Sequence, residues 1–173
     1  MDKKNQKFNS KVIHSGHGAD EPTGAVMPPI HLSSTFKQKS PGDFKYEYAR
    51  TGNPTRDILE KLLREIENGK FGFAFSSGMA AISALSDALG NNYSIISSDD
   101  VYGGTRRIFD KIKSVNQNID VTYVDLSKDN NWQGHIKENT KMIWLETPSN
   151  PLLKVIDIKK IKESLNNQDI IIV

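Results

Sequence analysis

The sequence contains no cysteine among its 173 residues. This absence excludes a disulfide framework, a thiolate nucleophile and a cysteine-ligated metal site. No apolar run approaches the roughly 18 residues that a membrane-spanning helix needs. The polar start, MDKKNQKFNS, also lacks the apolar core of a signal peptide. We therefore expect no membrane partner and a cytoplasmic location.

A large excess of charge of one sign is also missing. Lysine and arginine total 23 and aspartate and glutamate 21, so the formal net charge is only +2, and the lysines are scattered along the chain. Proteins that bind nucleic acid usually concentrate their basic residues, so nucleic acid is not expected as a partner. The sequence has neither a Walker loop nor a G-x-G-x-x-G fingerprint, so nucleotide binding is not indicated either.

Three histidines, His14, His17 and His31, lie close together near the start of the chain. His14 and His17 have the spacing of one helical face, but Gly16 and Gly18 make a helix through both unfavourable. No metal site is predicted there.

Helix and strand patterns alternate from Asn53 to the last residue. Residues 1–52 have little periodicity and are expected to form an extended arm. One predicted helix begins after Asn53 or Thr55 and ends near Gly69. Two others cover about 78–89 and 104–115, and a weak helical piece follows Trp132. The last predicted helix is capped by Asp157, with Ile158, Ile161 and Leu165 inward. Predicted strands lie at 71–75, 93–97, 121–124, 142–145 and 170–173. This alternation predicts an α/β fold with parallel strands.

The chain stops in the apolar run DIIIV, with no turn signal after it. A parallel strand normally leads into a loop that carries function. We therefore expect residues 53–173 to be the first part of a longer domain.

The stretch FGFAFSSGMAAISAL, residues 71–85, changes from a strand pattern to a helical pattern across two serines and a glycine. The first N–H groups of such a helix have no intrahelical partner, and the helix dipole adds partial positive charge. A phosphate fits there, held by the hydroxyls of Ser76 and Ser77 and by the backbone around Gly78. The ordinary alternative is a serine-capped helix without a ligand.

Other strand ends carry polar or aromatic residues that could meet such a phosphate. Tyr102 precedes two glycines after one predicted strand, and Glu146 and Asn150 follow another. Each has an ordinary interpretation as a turn or surface residue. Together they favour a planar, phosphorylated, aromatic ligand at the carboxyl edge of the sheet.

Four segments, YEYARTGNPT, SSGMAAI, DDVYGGT and ETPSNP, resemble in their order and spacing the Cys/Met-metabolism family of pyridoxal-phosphate enzymes. The resemblance runs from about Lys11 to the last residue. It implies fold type I, the aspartate aminotransferase-like fold, with the front part of the large α/β/α domain following an arm that contacts the neighbouring subunit. It also implies pyridoxal 5'-phosphate as cofactor and a homotetramer, a dimer of dimers with shared active sites.

The resemblance assigns roles to matching positions. Gly78 and Met79 would hold the cofactor phosphate with Ser77, and Tyr48 and Arg50 would reach the phosphate of the neighbouring subunit. Tyr102 would stack on the pyridine ring and take part in proton transfer.

Two further positions match the family. Asn150 would lie beside the cofactor's phenolic oxygen and the substrate carboxylate, and Glu146 would support the site. The Schiff-base lysine, the aspartate that pairs with the pyridine nitrogen and the arginine that binds the substrate carboxylate have no match in residues 1–173. Residues 1–173 alone are therefore expected to be inactive.

Within the family, the stretches IHLSSTFKQ and DDVYGGTRRIF most resemble the enzymes that cleave L-cystathionine to cysteine, 2-oxobutanoate and ammonia. Cystathionine γ-synthase, cystathionine β-lyase and methionine γ-lyase activities stay open, because the residues that decide among them have no match here. The alternative class is a non-catalytic fragment or dimer-assembly module.

Overall fold

The backbone divides into two units, Met1–Phe75 and Ser76–Val173. In this computed structural model the described residues are 7–128, 132–165 and 169–173. The sequence places a boundary after residue 52, but the helix that follows the arm groups with the arm in the first unit. The sheet of the described residues lies wholly in the second unit.

The second unit contains a parallel sheet of four strands among the described residues. The strands are β1 (Ser94–Ser98), β2 (Asp120–Val124), β3 (Thr140–Trp144) and β4 (Ile171–Ile172). Their order is β2-β1-β3-β4, and every pair is parallel. The predicted α/β class is confirmed, and each strand lies within a residue or two of its predicted position.

One helix precedes these strands and the others connect them. They are α3 (Gly78–Ala88), α4 (Gly103–Ile108), a π-helical turn (Phe109–Lys113), α5 (Ser114–Gln117), a 3-10 turn (Trp132–His135) and α6 (Ile158–Ser164). The helix predicted at 104–115 is thus one helical stretch with a wide turn in its middle. Asp157 caps α6 as predicted, because its Oδ1 accepts the N–H of Lys160 at 3.0 Å.

A hydrophobic core lies on each face of the sheet. Ile95 and Met142 belong to one core, while Ile96 and Ile143 belong to the other, as expected where successive strand residues point to opposite faces. Ile161 and Leu165 of the predicted inward set are buried, but Ile158 is 48% exposed, so its prediction is wrong. Ile158 is the first residue of α6, where the chain has just entered from the loop.

The first unit contains α2 (Pro54–Ile66), whose start matches one of the two predicted caps. Asn53 Oδ1 accepts the N–H of Thr55 at 2.9 Å, so Asn53 rather than Thr55 is the cap. At the other end, Asn68 rather than Gly69 takes the left-handed conformation, with φ of +53°. None of the α2 residues is buried.

A short helix, α1 (Phe8–His14), interrupts the predicted extended arm. The prediction of a wholly extended arm is therefore wrong for these residues. Lys7, the residue before the helix, provides no side-chain cap, so the usual start signal is missing from the sequence. After α1, Gly16 has φ of +83°, and a Cβ there would lie 2.6 Å from the carbonyl oxygen of Ile58. Only glycine allows this close approach to α2.

The strand predicted at 71–75 is not formed. These residues pair with no strand in the described part of the chain. Ala74 instead donates its N–H to Glu60 Oε1 at 3.0 Å. Phe71 and Phe73 are 77% and 74% exposed, and their rings stack with centroids 6.5 Å apart. An apolar run becomes a strand only where a second strand supplies ladder hydrogen bonds, and no local pattern specifies that second strand.

Within the described residues, no helix has both the length and the apolar character needed to cross a bilayer.

Candidate functional site

The N-terminus of α3 forms an open cradle of backbone donors. Ser77 is extended, and its Oγ accepts the N–H of Ala80 at 3.1 Å. The N–H groups of Gly78 and Met79 come first in the helix and have no intrahelical acceptor. A Cβ on Gly78 would meet no atom within 4 Å, so the side of Gly78 from which a side chain would project is open. The Ser77 hydroxyl acts as a cap and still has its own proton to donate, so the two sequence interpretations are compatible.

The ring of Tyr102 lies next to this cradle. A Cβ on Gly104 would lie 2.4 Å from Tyr102 Cε1 and 2.8 Å from Met79 Sδ, so the ring and the thioether are neighbours over that glycine. Gly104 is therefore required for the packing, which sequence reasoning missed although the residue follows Tyr102 closely. The Tyr102 side chain is 51% exposed, which leaves ring surface available to a ligand.

Glu146 holds the backbone of Tyr102 in place. Its Oε2 accepts the N–H of Tyr102 at 2.7 Å, and its Oε1 accepts the hydroxyl of Thr105 at 3.0 Å. Oε1 also lies 3.4 Å from the indole nitrogen of Trp144, which donates to it. Because both oxygens are engaged by protein donors, Glu146 acts on the site through Tyr102. Tyr102 provides no side-chain cap for α4, and Glu146, which follows β3, holds the start of this helix through the N–H of Tyr102 and the hydroxyl of Thr105.

Asn150 lies in the segment after β3 and is exposed. The neighbouring Ser149 is buried and donates its Oγ–H to Asp100, which follows β1. β1 and β3 are adjacent parallel strands, so the segments after both lie at the same edge of the sheet. The structure thus brings the Asn150 segment to the strand end from which Tyr102 emerges.

Tyr48 and Arg50 form a pair in the first unit. The guanidinium of Arg50 lies over the Tyr48 ring, 4.8 Å from its centroid. Arg56 donates from Nη1 to the carbonyl of Ala49 at 3.1 Å, which fixes the backbone between the two residues. Both side chains are exposed. An exposed arginine held against a tyrosine ring keeps its donors free for an anion.

The predicted site residues therefore fall into two groups. Six lie in the second unit at the carboxyl edge of the sheet or the start of α3: Ser77, Gly78, Met79, Tyr102, Glu146 and Asn150. The other two, Tyr48 and Arg50, lie in the first unit. Sequence reasoning missed the supporting residues Thr105, Asp100 and Ser149, although all three stand inside the quoted motifs.

The donor set has a chemical preference. The cradle offers backbone N–H groups and a hydroxyl to an anion, and the ring beside it offers a face to a planar group. No cluster of three or more histidine or acidic side chains suited to a metal ion occurs in the described part of the chain. A phosphorylated aromatic compound such as pyridoxal 5'-phosphate fits this arrangement.

Comparison with known proteins agrees with this chemistry. A family model described as "Cys/Met metabolism PLP-dependent enzyme" matches residues 9–173. Cystathionine γ-lyase of Dictyostelium discoideum is 42% identical over 166 residues, which is 95% of this chain and 43% of that protein. Cystathionine β-lyase of Lactococcus lactis subsp. cremoris is 50% identical over 155 residues, 89% of this chain and 40% of that protein.

A solved structure of a related enzyme is also similar to this chain. Cystathionine γ-lyase from Lactobacillus plantarum, complexed with L-serine, superposes with a TM-score of 0.90 at 41% identity, covering 96% of this chain and 44% of that one. The chain thus spans less than half the length of the relatives it matches. The order of the motifs, the parallel fold and the match over residues 9–173 lead to one conclusion: the chain belongs to the Cys/Met-metabolism family of pyridoxal-phosphate-dependent enzymes.

Proposed function

We propose that the full-length protein is a trans-sulfuration enzyme that acts on a sulfur amino acid in the cytoplasm. Its substrate is L-cystathionine, and the reaction of L-cystathionine with water yields cysteine, 2-oxobutanoate and ammonia. The observation that carries the proposal is the anion cradle of Gly78 and Met79 with the ring of Tyr102 beside it. The relatives named cystathionine γ-lyase support the choice of substrate.

In this proposal each site residue has one role. Bound pyridoxal 5'-phosphate supplies the electron sink for the bond that breaks. Gly78 and Met79 donate backbone N–H groups to its phosphate, and Ser77 adds its hydroxyl. Tyr102 covers the pyridine ring and holds a proton at its hydroxyl. Asn150 donates from its amide to the phenolic oxygen and the substrate carboxylate.

Tyr48 and Arg50 serve the neighbouring subunit in this proposal. Their exposure and their fixed stack suit an anion that comes from outside the unit. The guanidinium then binds the neighbour's phosphate with two parallel hydrogen bonds. The arm, residues 1–52, contacts that neighbour, and two such dimers form a homotetramer.

Product analysis of the full-length protein tests the reaction. With L-cystathionine we expect 2-oxobutanoate and cysteine, together with the absorbance of bound cofactor. Pyruvate and homocysteine would instead identify a β-lyase, which the 50% identical Lactococcus relative favours. Methionine and O-activated homoserine test the lyase and synthase alternatives. A full-length protein without cofactor absorbance would leave only the non-catalytic assembly module.

Mixed dimers test the shared site. Arg50→Ala should release cofactor more easily without loss of fold. When it is mixed with a Tyr102→Phe variant, one of the two sites in a mixed dimer has both residues intact, so part of the activity should return. Mixed dimers with no recovered activity would place Arg50 in its own subunit's site.

The Tyr102 hydroxyl is tested by Tyr102→Phe alone. If it transfers a proton, the rate should fall roughly 10²–10⁴-fold, the usual contribution of one acid–base group. Cofactor affinity should change little, because the stacking face stays. A phenylalanine variant with full activity would limit Tyr102 to stacking.

A further inference from the structure

The segment of residues 148–155, which carries Asn150, has few apolar contacts to hold it, whereas Ile156 directly after it is buried in the core. Leu152, Leu153 and Val155 are 67%, 72% and 71% exposed. Internal hydrogen bonds shape the segment: Ser149 donates its N–H to Lys154 O at 2.9 Å, and Leu153 donates to Ser149 O at 3.1 Å. These hydrogen bonds determine the conformation of the segment but do not attach it to the sheet. Ile156 anchors the end of the segment in the core, and the position of the turn around Asn150 depends on polar contacts with other elements.

Asp100 makes two of these contacts. The residue follows β1 and is only 8% exposed, and its Oδ2 accepts both the hydroxyl of Ser149 and the N–H of Leu152, the latter at 2.8 Å. Ser149 is 1% exposed, and its Oγ also accepts the N–H of Lys154 at 2.8 Å. Hydrogen bonds to a buried carboxylate are stronger than neutral ones, and the carboxylate is costly to bury without them. Residues on both sides of Asn150 are thus joined to one oxygen atom.

Lys154 adds a second attachment at the far end of the segment. Its Nζ lies 2.8 Å from Asp99 Oδ2 and 2.8 Å from Asp125 Oδ2, residues that follow β1 and β2. Hydrogen bonds from Lys154 and then Ser127 lower the pKa of Asp125 to about 2. The Lys154 side chain is 19% exposed, so solvent screens this cluster only in part. Lys154 connects the segment after β3 to the ends of β1 and β2.

We propose that Asp100 is a positioning residue for Asn150: it fixes the 149–152 turn against the end of β1, and so sets where the Asn150 amide lies relative to the cofactor. The inference rests on the role of Asn150 in the proposed function. Asp100 itself does not contact the ligand in this account. It acts through Ser149 and Leu152, with Lys154 as the supporting attachment.

The test uses the full-length enzyme with its cofactor and compares three variants. Asp100→Ala removes the acceptor, and Asp100→Asn keeps an oxygen acceptor without the charge. Asp120→Ala is the matched control, because Asp120 pairs with Lys137 at the start of β2, at the opposite edge of the sheet. Three quantities are measured: amide hydrogen exchange of residues 149–153, visible circular dichroism of the bound cofactor, and kcat and KM.

Asp100→Ala should speed exchange of the Leu152 and Leu153 amides about 10-fold or more and change the circular dichroism band. A misplaced contact costs up to roughly 100-fold in rate, so kcat/KM should fall by about 10- to 100-fold. Asp100→Asn should recover most of this loss, and Asp120→Ala should match the wild type. A purely structural role would lower thermal stability and leave the dichroism and kcat of the folded enzyme unchanged, and that result would overturn the inference.

Asn150→Ala separates this inference from the proposed function. If Asn150→Ala lowers kcat/KM and Asp100→Ala does not, the inference alone fails. If Asn150→Ala leaves the cofactor band and the rate unchanged, the assignment of Asn150 in the proposed function fails and the inference fails with it. Should Asp100→Ala not fold, Ser149→Ala removes one of the two hydrogen bonds. It should then give a smaller change in the same direction, and no change in exchange or dichroism would overturn the inference.

Discussion

The two units of the chain are stabilised in different ways. Every buried apolar side chain among the described residues belongs to the second unit, between Tyr93 and Leu165. In the first unit the one buried residue of the described part is Ser15. Its large apolar side chains, such as Leu32 at 91% and Ile30 at 77%, are exposed. Apolar burial stabilises the second unit, whereas the first unit is shaped mainly by hydrogen bonds.

The polar contacts of the first unit are specific. Tyr46 donates its hydroxyl to Asp57 at 2.8 Å, and Asp57 also pairs with Lys61 at 2.7 Å. His31 donates its N–H to Thr55 Oγ1 at 2.9 Å. Such contacts fix the relative orientation of the groups that they join. They add little to the free energy of unfolding, because they replace hydrogen bonds to water. This difference suits the proposed roles, since a rigid sheet positions the site and an exposed arm has apolar surface left for a neighbour.

The largest expected effect is in the core of the second unit. Phe109 is fully buried, and its ring meets Trp144 edge-on with centroids 5.4 Å apart. Phe109→Ala should lower the free energy of unfolding by about 3–5 kcal/mol, because it removes apolar contacts and leaves a cavity. Urea unfolding of the full-length protein measures this.

Phe8→Ala is the matched control in the first unit. Phe8 is 62% exposed, so its removal should change the free energy of unfolding by less than about 0.5 kcal/mol. A loss as large as that of Phe109→Ala would break the comparison, because it would mean that the proposed contact with the neighbouring subunit buries Phe8 as fully as the core buries Phe109.

The second prediction concerns Gly104. A Cβ there would overlap the Tyr102 ring and the Met79 thioether, both of which are side chains that can move. Gly104→Ala should therefore displace the ring at a cost of about 1–3 kcal/mol rather than unfold the protein. The cofactor band should change, and kcat/KM should fall up to roughly 100-fold.

Gly103→Ala is the control for this change, because a Cβ at Gly103 would meet nothing within 4 Å. Gly103→Ala should leave the cofactor band and kcat/KM near their wild-type values. Equal losses in both variants would show that the helix start, and not the contact with Tyr102, needs glycine.

The outcome of sequence reasoning differs between local and long-range features. The helix caps Asn53 and Asp157 were predictable, because a cap is a contact between residues two or three positions apart. The parallel sheet was predictable from alternation. The structure of residues 71–75 was not predictable, because a strand requires a partner strand that no local pattern identifies.

The candidate site shows the same division. The strand-end position of Tyr102, Glu146 and Asn150 followed from the general rule for parallel sheets. The contacts that hold them did not. Glu146 accepts from Tyr102 across 44 residues of sequence, and Ser149 donates to Asp100 across 49. Such pairs become visible only when the strand order is known.

The third prediction compares two N-caps, one in each unit. Ser77→Ala and Asn53→Ala each remove a side-chain acceptor from a helix start, at 3.1 Å and 2.9 Å respectively. Each should lower stability by about 1 kcal/mol. Ser77→Ala alone should also weaken cofactor binding, measured by absorbance titration. Equal cofactor affinity in the two variants would restrict Ser77 to capping.

The smallest expected effect concerns Tyr46, which connects the arm to α2 in the first unit. Burial, and then its hydrogen bond to Asp57, raise the pKa of Tyr46 to about 12 from an ordinary value of 10.0. Because the folded state favours the neutral phenol, the stabilisation is complete below pH 10 and is lost as the pH rises through 12. Tyr46→Phe should cost about 0.5–1.5 kcal/mol at pH 8, the usual net value of one hydrogen bond. The difference in free energy of unfolding between the wild type and Tyr46→Phe should become smaller as the pH is raised from 8 to 11.5. Urea unfolding at each pH measures this difference. A gap that stays constant would mean that the ring packing of Tyr46, and not its hydroxyl, connects the arm to α2, and the contrast between a polar first unit and an apolar second unit would be weakened.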